Sequence, residues 1–182
     1  MTRYVAFLRG MNLGKRRLEM SQLRSLLEDL GYTDVATFIA SGNVVFSTPE
    51  RVTEKLESRI AAHLERALGY DVDTFVRTLD EVVAIARSKP FPEDGNEGIT
   101  VHVGFLQKPL SGATAKSMIG VRTPDDEFLV KGREYYWLCR IRTSDSKVWT
   151  LPDLKALRLP TSTMRNMSSI RKLVAKHALP DR

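Results

Sequence analysis

The chain has 182 residues, of which 42% are hydrophobic and 27% charged, a composition typical of one ordinary globular domain or two small ones. No apolar run approaches the ~20 residues that a membrane-spanning helix requires, and the N-terminus lacks the apolar run of a signal peptide. The single cysteine, Cys139, cannot form an internal disulfide, which is typical of a reducing compartment. These features predict a cytoplasmic protein with no membrane partner.

The net charge of +6 is distributed unevenly along the chain. Residues 1–95 carry 13 basic and 14 acidic side chains, whereas residues 96–182 carry 15 basic and 8 acidic ones. A one-sided basic surface attracts nucleic acid, phosphates or an acidic partner. The alternative is a basic face that is simply solvated.

The first half of the chain predicts the element order βαββαβ. Apolar residues that alternate indicate strands, and those that recur every three or four positions indicate helices. In chain order the predicted elements are a strand (residues 2–9), a helix (20–30), a β-hairpin (34–46), a helix (49–68) and a strand (71–77). This order is the signature of the ferredoxin-like fold.

Capping residues predict where two helices begin. Thr48 followed by Pro49 is typical of an N-cap and a first helical residue, and Thr78 with Glu81 forms a predicted capping box. Gly69 is the predicted end of the helix that follows Pro49.

The second half of the chain predicts roughly βαββα followed by a C-terminal helix. The predicted elements are a strand (99–106), a helix (111–119), a hairpin (127–141), a weak helix (151–159) and a terminal helix (166–178). We therefore predict an α+β protein with two ferredoxin-like subdomains, residues 1–78 and 99–182, joined by a helix and a proline- and glycine-containing linker at residues 79–98.

The first candidate site is the loop at residues 9–17, called here the basic glycine loop. It has four basic side chains and two glycines between a strand and a helix, a combination typical of an anion site. The spacing matches neither a phosphate-binding Walker loop nor a dinucleotide fingerprint, and no cofactor is predicted. The alternative is a solvated loop whose glycines serve backbone geometry. The candidate ligand-binding residues are Arg9, Gly10, Asn12, Gly14 and Lys15.

The second candidate site is the turn formed by Ser41, Gly42 and Asn43, called here the Ser-Gly-Asn turn. In a βαββαβ sheet the first strand–helix loop and the turn between strands two and three lie at the same end. We therefore expect this turn to lie beside the basic glycine loop. The alternative is a hydrogen-bond network that only fixes the sheet edge.

The third candidate site is the segment that contains Thr163, Arg165 and Asn166, before the last predicted helix. A guanidinium there suits a bidentate pair with an oxyanion. The alternative is that Thr163 or Asn166 caps the helix while Arg165 lies on the surface.

No catalytic or metal-binding constellation is predicted. His63, His102 and His177 lack the spacing of metal ligands, and the chain has no nucleophile-elbow motif. The acidic run at residues 125–127 is predicted to be solvated, and Cys139 to be a buried thiol.

Four short motifs together resemble a bacterial family called domain of unknown function 1697. They are LRGMNLG at residues 8–14, SGNVVF at 41–46, SK at 146–147 and TMRN at 163–166. The chain departs from the family pattern at Lys15, where the family has a second glycine, and at Met167 and Ser169, where it usually has tryptophan and threonine. The resemblance implies two ferredoxin-like subdomains and no established activity.

Three functions remain open at this point. The first is a binding module for a phosphate-bearing small molecule or nucleic acid, in which Arg9 and Arg165 pair with oxyanions, Lys15 adds a charge, and Ser41 and Asn43 orient the ligand. The second is an enzyme that uses the same edge for phosphoryl or acyl transfer. The third is a protein-interaction module that docks an acidic partner on the basic face.

Overall fold

The computed structural model describes residues 1–11, 17–39 and 42–178. Two compact units make up the chain. Unit 1 comprises Met1–Ile85 and the C-terminal stretch that begins at Lys172, and unit 2 comprises Ala86–Arg171. No helix within the described ranges is both long and apolar enough to cross a membrane.

Unit 1 has a four-stranded antiparallel sheet with the strand order β2-β3-β1-β4. This arrangement confirms the ferredoxin-like prediction for the first half. The central strand β1 is buried on both faces, as its unbroken apolar run predicts. The elements are β1 (Thr2–Arg9), α1 (Met20–Glu28), β2 (Thr33–Phe38), β3 (Asn43–Thr48), α2 (Thr53–Leu68), β4 (Asp73–Thr78) and the first residues of α3 (Leu79–Arg87).

The core of unit 1 lies between one face of the sheet and the helices α1 and α2. Leucines that recur along both helices pack against Tyr4, Ala6 and Leu8 of β1. A buried ion pair is also present in this unit: Arg77 Nη1 lies 3.9 Å from Glu57 Oε1, and both side chains are almost fully excluded from solvent.

The start of α2 differs from the prediction. The helix begins at Thr53 rather than at Pro49, because β3 continues to Thr48, which pairs with Thr2 of β1. Its end is as predicted: Gly69 adopts the left-handed conformation (φ 79°) that stops the helix.

Unit 2 repeats this topology with the strand order β6-β7-β5-β8, again antiparallel. The strand β8 was not predicted, and it completes a second βαββαβ order. The predicted helix over residues 151–159 is reduced to the short α5. The elements are β5 (Thr100–Phe105), α4 (Gly112–Gly120), β6 (Asp126–Lys131), β7 (Glu134–Cys139), α5 (Pro152–Lys155), β8 (Thr163–Asn166) and α6 (Met167–His177), whose last residues belong to unit 1.

The core of unit 2 is aromatic. The Trp149 ring meets Trp137 edge-on at 5.6 Å between centroids and Phe128 at 5.4 Å. Edge-to-face packing of this kind adds about 0.5–1.5 kcal/mol per pair beyond the burial of apolar area.

Candidate functional site

The Ser-Gly-Asn turn and the start of the basic glycine loop meet at one end of the unit 1 sheet. The backbone N–H of Leu8 donates to the carbonyl of Gly42 at 2.8 Å, one position beyond the paired residues Phe7 and Asn43. The prediction that the two segments share one sheet edge is thus confirmed for their described residues.

Gly42 fits this edge only because it has no side chain. Its φ of 80° is left-handed, and a Cβ atom there would lie 3.1 Å from Leu8 Cβ and 3.2 Å from Leu8 O. Gly10 is also left-handed, with a φ of 82°. Both glycines therefore adopt a conformation that other residues rarely take, and Gly42 is buried against Leu8 and Met11.

Asn43 serves the hairpin rather than the surface. Its side chain is 2% exposed, and its Nδ2 donates to the carbonyl of Phe38 at 3.0 Å. This bond closes the turn between β2 and β3. For Asn43 it supports the alternative prediction, a hydrogen-bond network that fixes the sheet edge.

Arg9 is an exposed cation at this edge. Its guanidinium lies 3.5 Å from Asp73 Oδ2, its cross-strand neighbour in β4, and both side chains are about half exposed. Exposed ion pairs of this kind contribute only about 0–1 kcal/mol, so a stronger anion can displace the carboxylate. The hydroxyl of Tyr70 donates to the carbonyl of Met11 at 3.1 Å and thereby anchors the start of the basic glycine loop.

Asn12, Gly14, Lys15 and Ser41 lie outside the described residues.

The third predicted segment forms the edge strand β8 of unit 2, so it belongs to a different sheet from the first two. Arg165 is 9% exposed and donates to Thr163 Oγ1 at 2.6 Å and to the carbonyl of Met164 at 2.9 Å. The expectation that Arg165 lies on the surface is therefore wrong. Burial lowers the pKa of its guanidinium to about 10, which still leaves it charged at neutral pH.

Asn166 caps α6, as the alternative for this segment predicts. Its Oδ1 accepts a hydrogen bond from the backbone N–H of Ser168 at 2.9 Å. This satisfies one of the free donors at the helix start.

A polar network around Asp126 was not predicted from the sequence. Asp126 is 3% exposed, so the expectation that the run at residues 125–127 is solvated is wrong for this residue. Its carboxylate accepts hydrogen bonds from Trp137 Nε1 (2.9 Å), Ser146 Oγ (2.7 Å) and Thr123 Oγ1 (2.7 Å). Strand alternation could have revealed it, because Asp126 is in phase with the buried Phe128.

This network gives the SK motif a structural role. Ser146 ties the loop after β7 to the buried carboxylate, beside a cavity of about 250 Å³ that Lys147 also lines. The serine is thus a hydrogen-bond partner that fixes a loop.

The described residues contain no group of His, Cys, Asp and Glu side chains that could hold a metal ion. Cys139 is fully buried, and this burial raises the pKa of its thiol. A buried thiol with a raised pKa is a poor nucleophile, because the thiolate is the reactive form.

Comparison with known proteins identifies a family and a shared fold. A family model described as "Protein of unknown function (DUF1697)" matches residues 1–136. The structure of the conserved bacterial protein SP0830 from Streptococcus pneumoniae is similar, with a TM-score of 0.70 and 22% sequence identity over 96% of this chain and 99% of that one. At this identity the likeness concerns the fold alone. No match is found among curated proteins.

Proposed function

We propose that this chain, which belongs to the DUF1697 family of proteins of unknown function, is a binding module for a phosphate-bearing ligand. The ligand is a small molecule or nucleic acid, held at the unit 1 edge formed by the basic glycine loop and the Ser-Gly-Asn turn. The observation that carries the proposal is the contact between Leu8 and Gly42, which brings both segments together directly beside the half-exposed Arg9.

The chemistry of this edge suits an oxyanion. Gly10 is left-handed and only partly buried, so no side chain hinders a ligand that approaches the backbone there, whereas Gly42 is buried and serves the contact with Leu8. The guanidinium of Arg9 matches phosphate geometry, and its weak pair with Asp73 leaves it open to exchange. Lys15 and Ser41 are expected to complete the site. Enzymatic use of this edge and docking of an acidic partner remain predictions from the sequence.

A thermal-shift screen tests the proposal. Wild type and Arg9→Ala are compared with nucleotides, sugar phosphates, polyphosphate and short RNA and DNA. A ligand at a hundred times its dissociation constant stabilises the folded state by about 2.7 kcal/mol. The shift should disappear in Arg9→Ala.

Arg24→Ala is the matched control. Arg24 is also an exposed arginine of unit 1 in a surface ion pair, with Glu28 at 2.9 Å, but it lies on α1. It should keep the full shift. The proposal is wrong if no anion shifts the wild type, or if Arg9→Ala responds as the wild type does.

A further inference from the structure

A carboxylate lies beside Arg9 at the edge proposed to bind phosphate. Asp73 begins β4 and is the direct cross-strand partner of Arg9, which ends β1. Arg9 Nη1 lies 3.5 Å from Asp73 Oδ2, and the two side chains are 53% and 48% exposed. The two groups are thus adjacent and both open to solvent, so a bound molecule that reaches one of them also reaches the other.

The segment that leads into β4 is attached to the basic glycine loop. The hydroxyl of Tyr70 donates to the carbonyl of Met11 at 3.1 Å. Immediately after Tyr70, Val72 is buried while Asp71 and Asp73 on either side of it are exposed. The hydrogen bond of Tyr70 therefore holds a segment with two exposed carboxylates against the start of the loop.

The adjacent opposite charges restrict the kind of phosphate ligand that fits. A phosphate that pairs with the guanidinium of Arg9 displaces the Asp73 carboxylate, which then lies beside an anion and needs a donor of its own. An ionised carboxylate only accepts hydrogen bonds, and it has room for several. Hydroxyl groups of the ligand are suitable donors, because hydrogen bonds to a charged acceptor are roughly twice as strong as those between neutral groups.

A chain of phosphates suits this pair poorly. A second phosphate beside the first would approach the carboxylates of Asp71 and Asp73, and juxtaposed like charges repel each other. A sugar phosphate avoids this repulsion, because its charge is confined to one end and hydroxyl groups occupy the other. The carboxylates therefore favour small hydroxylated phosphates over polyphosphate and nucleic acid.

We infer that Asp73 is a further ligand-binding residue of this edge, and that the ligand is a small phosphate ester with hydroxyl groups, of the class of sugar phosphates and nucleoside monophosphates. Arg9 holds the phosphate, and Asp73 accepts hydrogen bonds from the hydroxyls. This inference rests on the proposed function and deepens it, since it selects a small molecule over nucleic acid.

Isothermal titration calorimetry on the full chain tests the inference. Sugar phosphates and nucleoside monophosphates are compared with methyl phosphate, which has the same charged group but no alcohol. EDTA is present so that no metal ion bridges the phosphate and the carboxylate. At least one hydroxylated phosphate should bind the wild type about tenfold or more tightly than methyl phosphate, the effect of one hydrogen bond to a charged group.

Two substitutions at Asp73 separate hydrogen bonding from charge. Asp73→Ala removes the acceptor and should abolish the preference for the hydroxylated ligand. Its affinity for methyl phosphate should rise about two- to fivefold, because an exposed carboxylate no longer competes for Arg9. Asp73→Asn should show the same rise but keep part of the preference, because its amide oxygen still accepts a hydrogen bond.

Asp80→Ala is the matched control. It also removes an exposed aspartate of unit 1, but from α3, beyond the other end of β4. Neither the preference nor the affinity for methyl phosphate should change. A melting curve for each variant confirms that it remains folded.

The outcomes distinguish this inference from the proposed function. If Arg9→Ala abolishes phosphate binding but no hydroxylated phosphate binds the wild type more tightly than methyl phosphate, the inference fails and the proposed function stands. A preference that persists unchanged in Asp73→Ala would overturn the role of Asp73. Tighter binding of polyphosphate or short RNA than of any small hydroxylated phosphate would overturn the ligand class. If no phosphate ligand binds the wild type, both proposals fail.

Discussion

Replacing Asp126 with alanine should destabilise unit 2 strongly. The change removes the acceptor of three side-chain hydrogen bonds, from Thr123, Trp137 and Ser146. Trp137 is 4% exposed, so its indole N–H would be left buried without an acceptor, at a cost of about 1–3 kcal/mol. The two hydroxyls can turn to water and should lose about 0.5–1.5 kcal/mol each. The expected total is about 2–6 kcal/mol, a large part of a typical domain stability of about 5–15 kcal/mol.

Asp126→Asn is the matched control for this prediction. Its amide oxygen still accepts from Trp137 and Ser146, and its NH2 group can donate to the hydroxyl of Thr123. The expected loss is about 1 kcal/mol, because the charge-assisted strength of the bonds is lost while their number is kept.

Urea unfolding followed by tryptophan fluorescence is the appropriate assay. Both tryptophans of the chain, Trp137 and Trp149, belong to unit 2, so their emission reports on that unit. A free energy of unfolding for Asp126→Ala within about 0.5 kcal/mol of the wild-type value would refute the reasoning, since surface substitutions alone have effects of that size. An equal loss in Asp126→Asn would show that the charge itself, rather than the set of hydrogen bonds, holds the network together.

Two further predictions concern the turn glycine and a partly buried histidine. Gly42→Ala should destabilise unit 1 by about 1–3 kcal/mol, because alanine is strained at a φ of 80° and its Cβ would crowd Leu8. Far-UV circular dichroism during urea unfolding measures this loss. An unchanged unfolding midpoint would contradict the prediction. Burial lowers the pKa of His102 below its ordinary value of 6.5, so the unfolded chain binds the proton more readily and the free energy of unfolding should fall as pH drops below about 6.5. His102→Phe should flatten part of that dependence below about pH 6.5, and His177, whose pKa is also lowered by burial, accounts for a further part. A variant that follows the wild-type curve would disprove the assignment.

Local sequence signals predicted the starts of helices correctly where no contact with a distant part of the chain opposed them. The capping box is one such case: Thr78 N–H donates to Glu81 Oε2 at 2.8 Å, and Glu81 N–H donates to Thr78 Oγ1 at 3.1 Å. The Thr48-Pro49 signal failed because Thr48 pairs with Thr2, a residue far away in the chain. Strand pairing is a tertiary interaction that a capping pattern does not encode.

The strand β8 was not predicted from the sequence for the same reason. It has four residues with no sustained apolar alternation, and it becomes a strand by pairing with β5, where Arg165 lies opposite Val103. Its composition is that of a cap or loop, so sequence reasoning placed Arg165 on the surface. Only the fold shows that the side chain is buried.

The candidate site was predicted where it depends on topology and missed where it depends on side-chain contacts. The meeting of Gly42 with the end of β1 follows from the order of a βαββαβ sheet, and the sequence was sufficient to expect it. The burial of Arg165 depends on the pairing of β8 with β5, and no sequence spacing relates two strands so far apart in the chain.

Comparison of the two units shows that the residue that accepts the hydrogen bond from the strand end need not be glycine. In unit 2 the equivalent hydrogen bond runs from the N–H of Leu106 to the carbonyl of Arg133, at 2.9 Å against 2.8 Å for Leu8 and Gly42. The residue that accepts it there has a long side chain, but it directly follows Gly132, which is left-handed (φ 59°), so this turn also contains a glycine.

The connection that follows β5 in unit 2, at residues 106–111, also contains no glycine, although it joins a strand to a helix in the same topology as the basic glycine loop. The same sheet order therefore closes in unit 2 without a glycine in the strand–helix connection, although the hairpin turn of unit 2 does contain the left-handed Gly132 (φ 59°). Sheet topology thus accounts for a glycine in the turn, and a requirement other than chain closure must account for the glycines and cations of the basic glycine loop. Close approach of an anionic ligand is such a requirement, because it needs accessible backbone and positive charge at the same place.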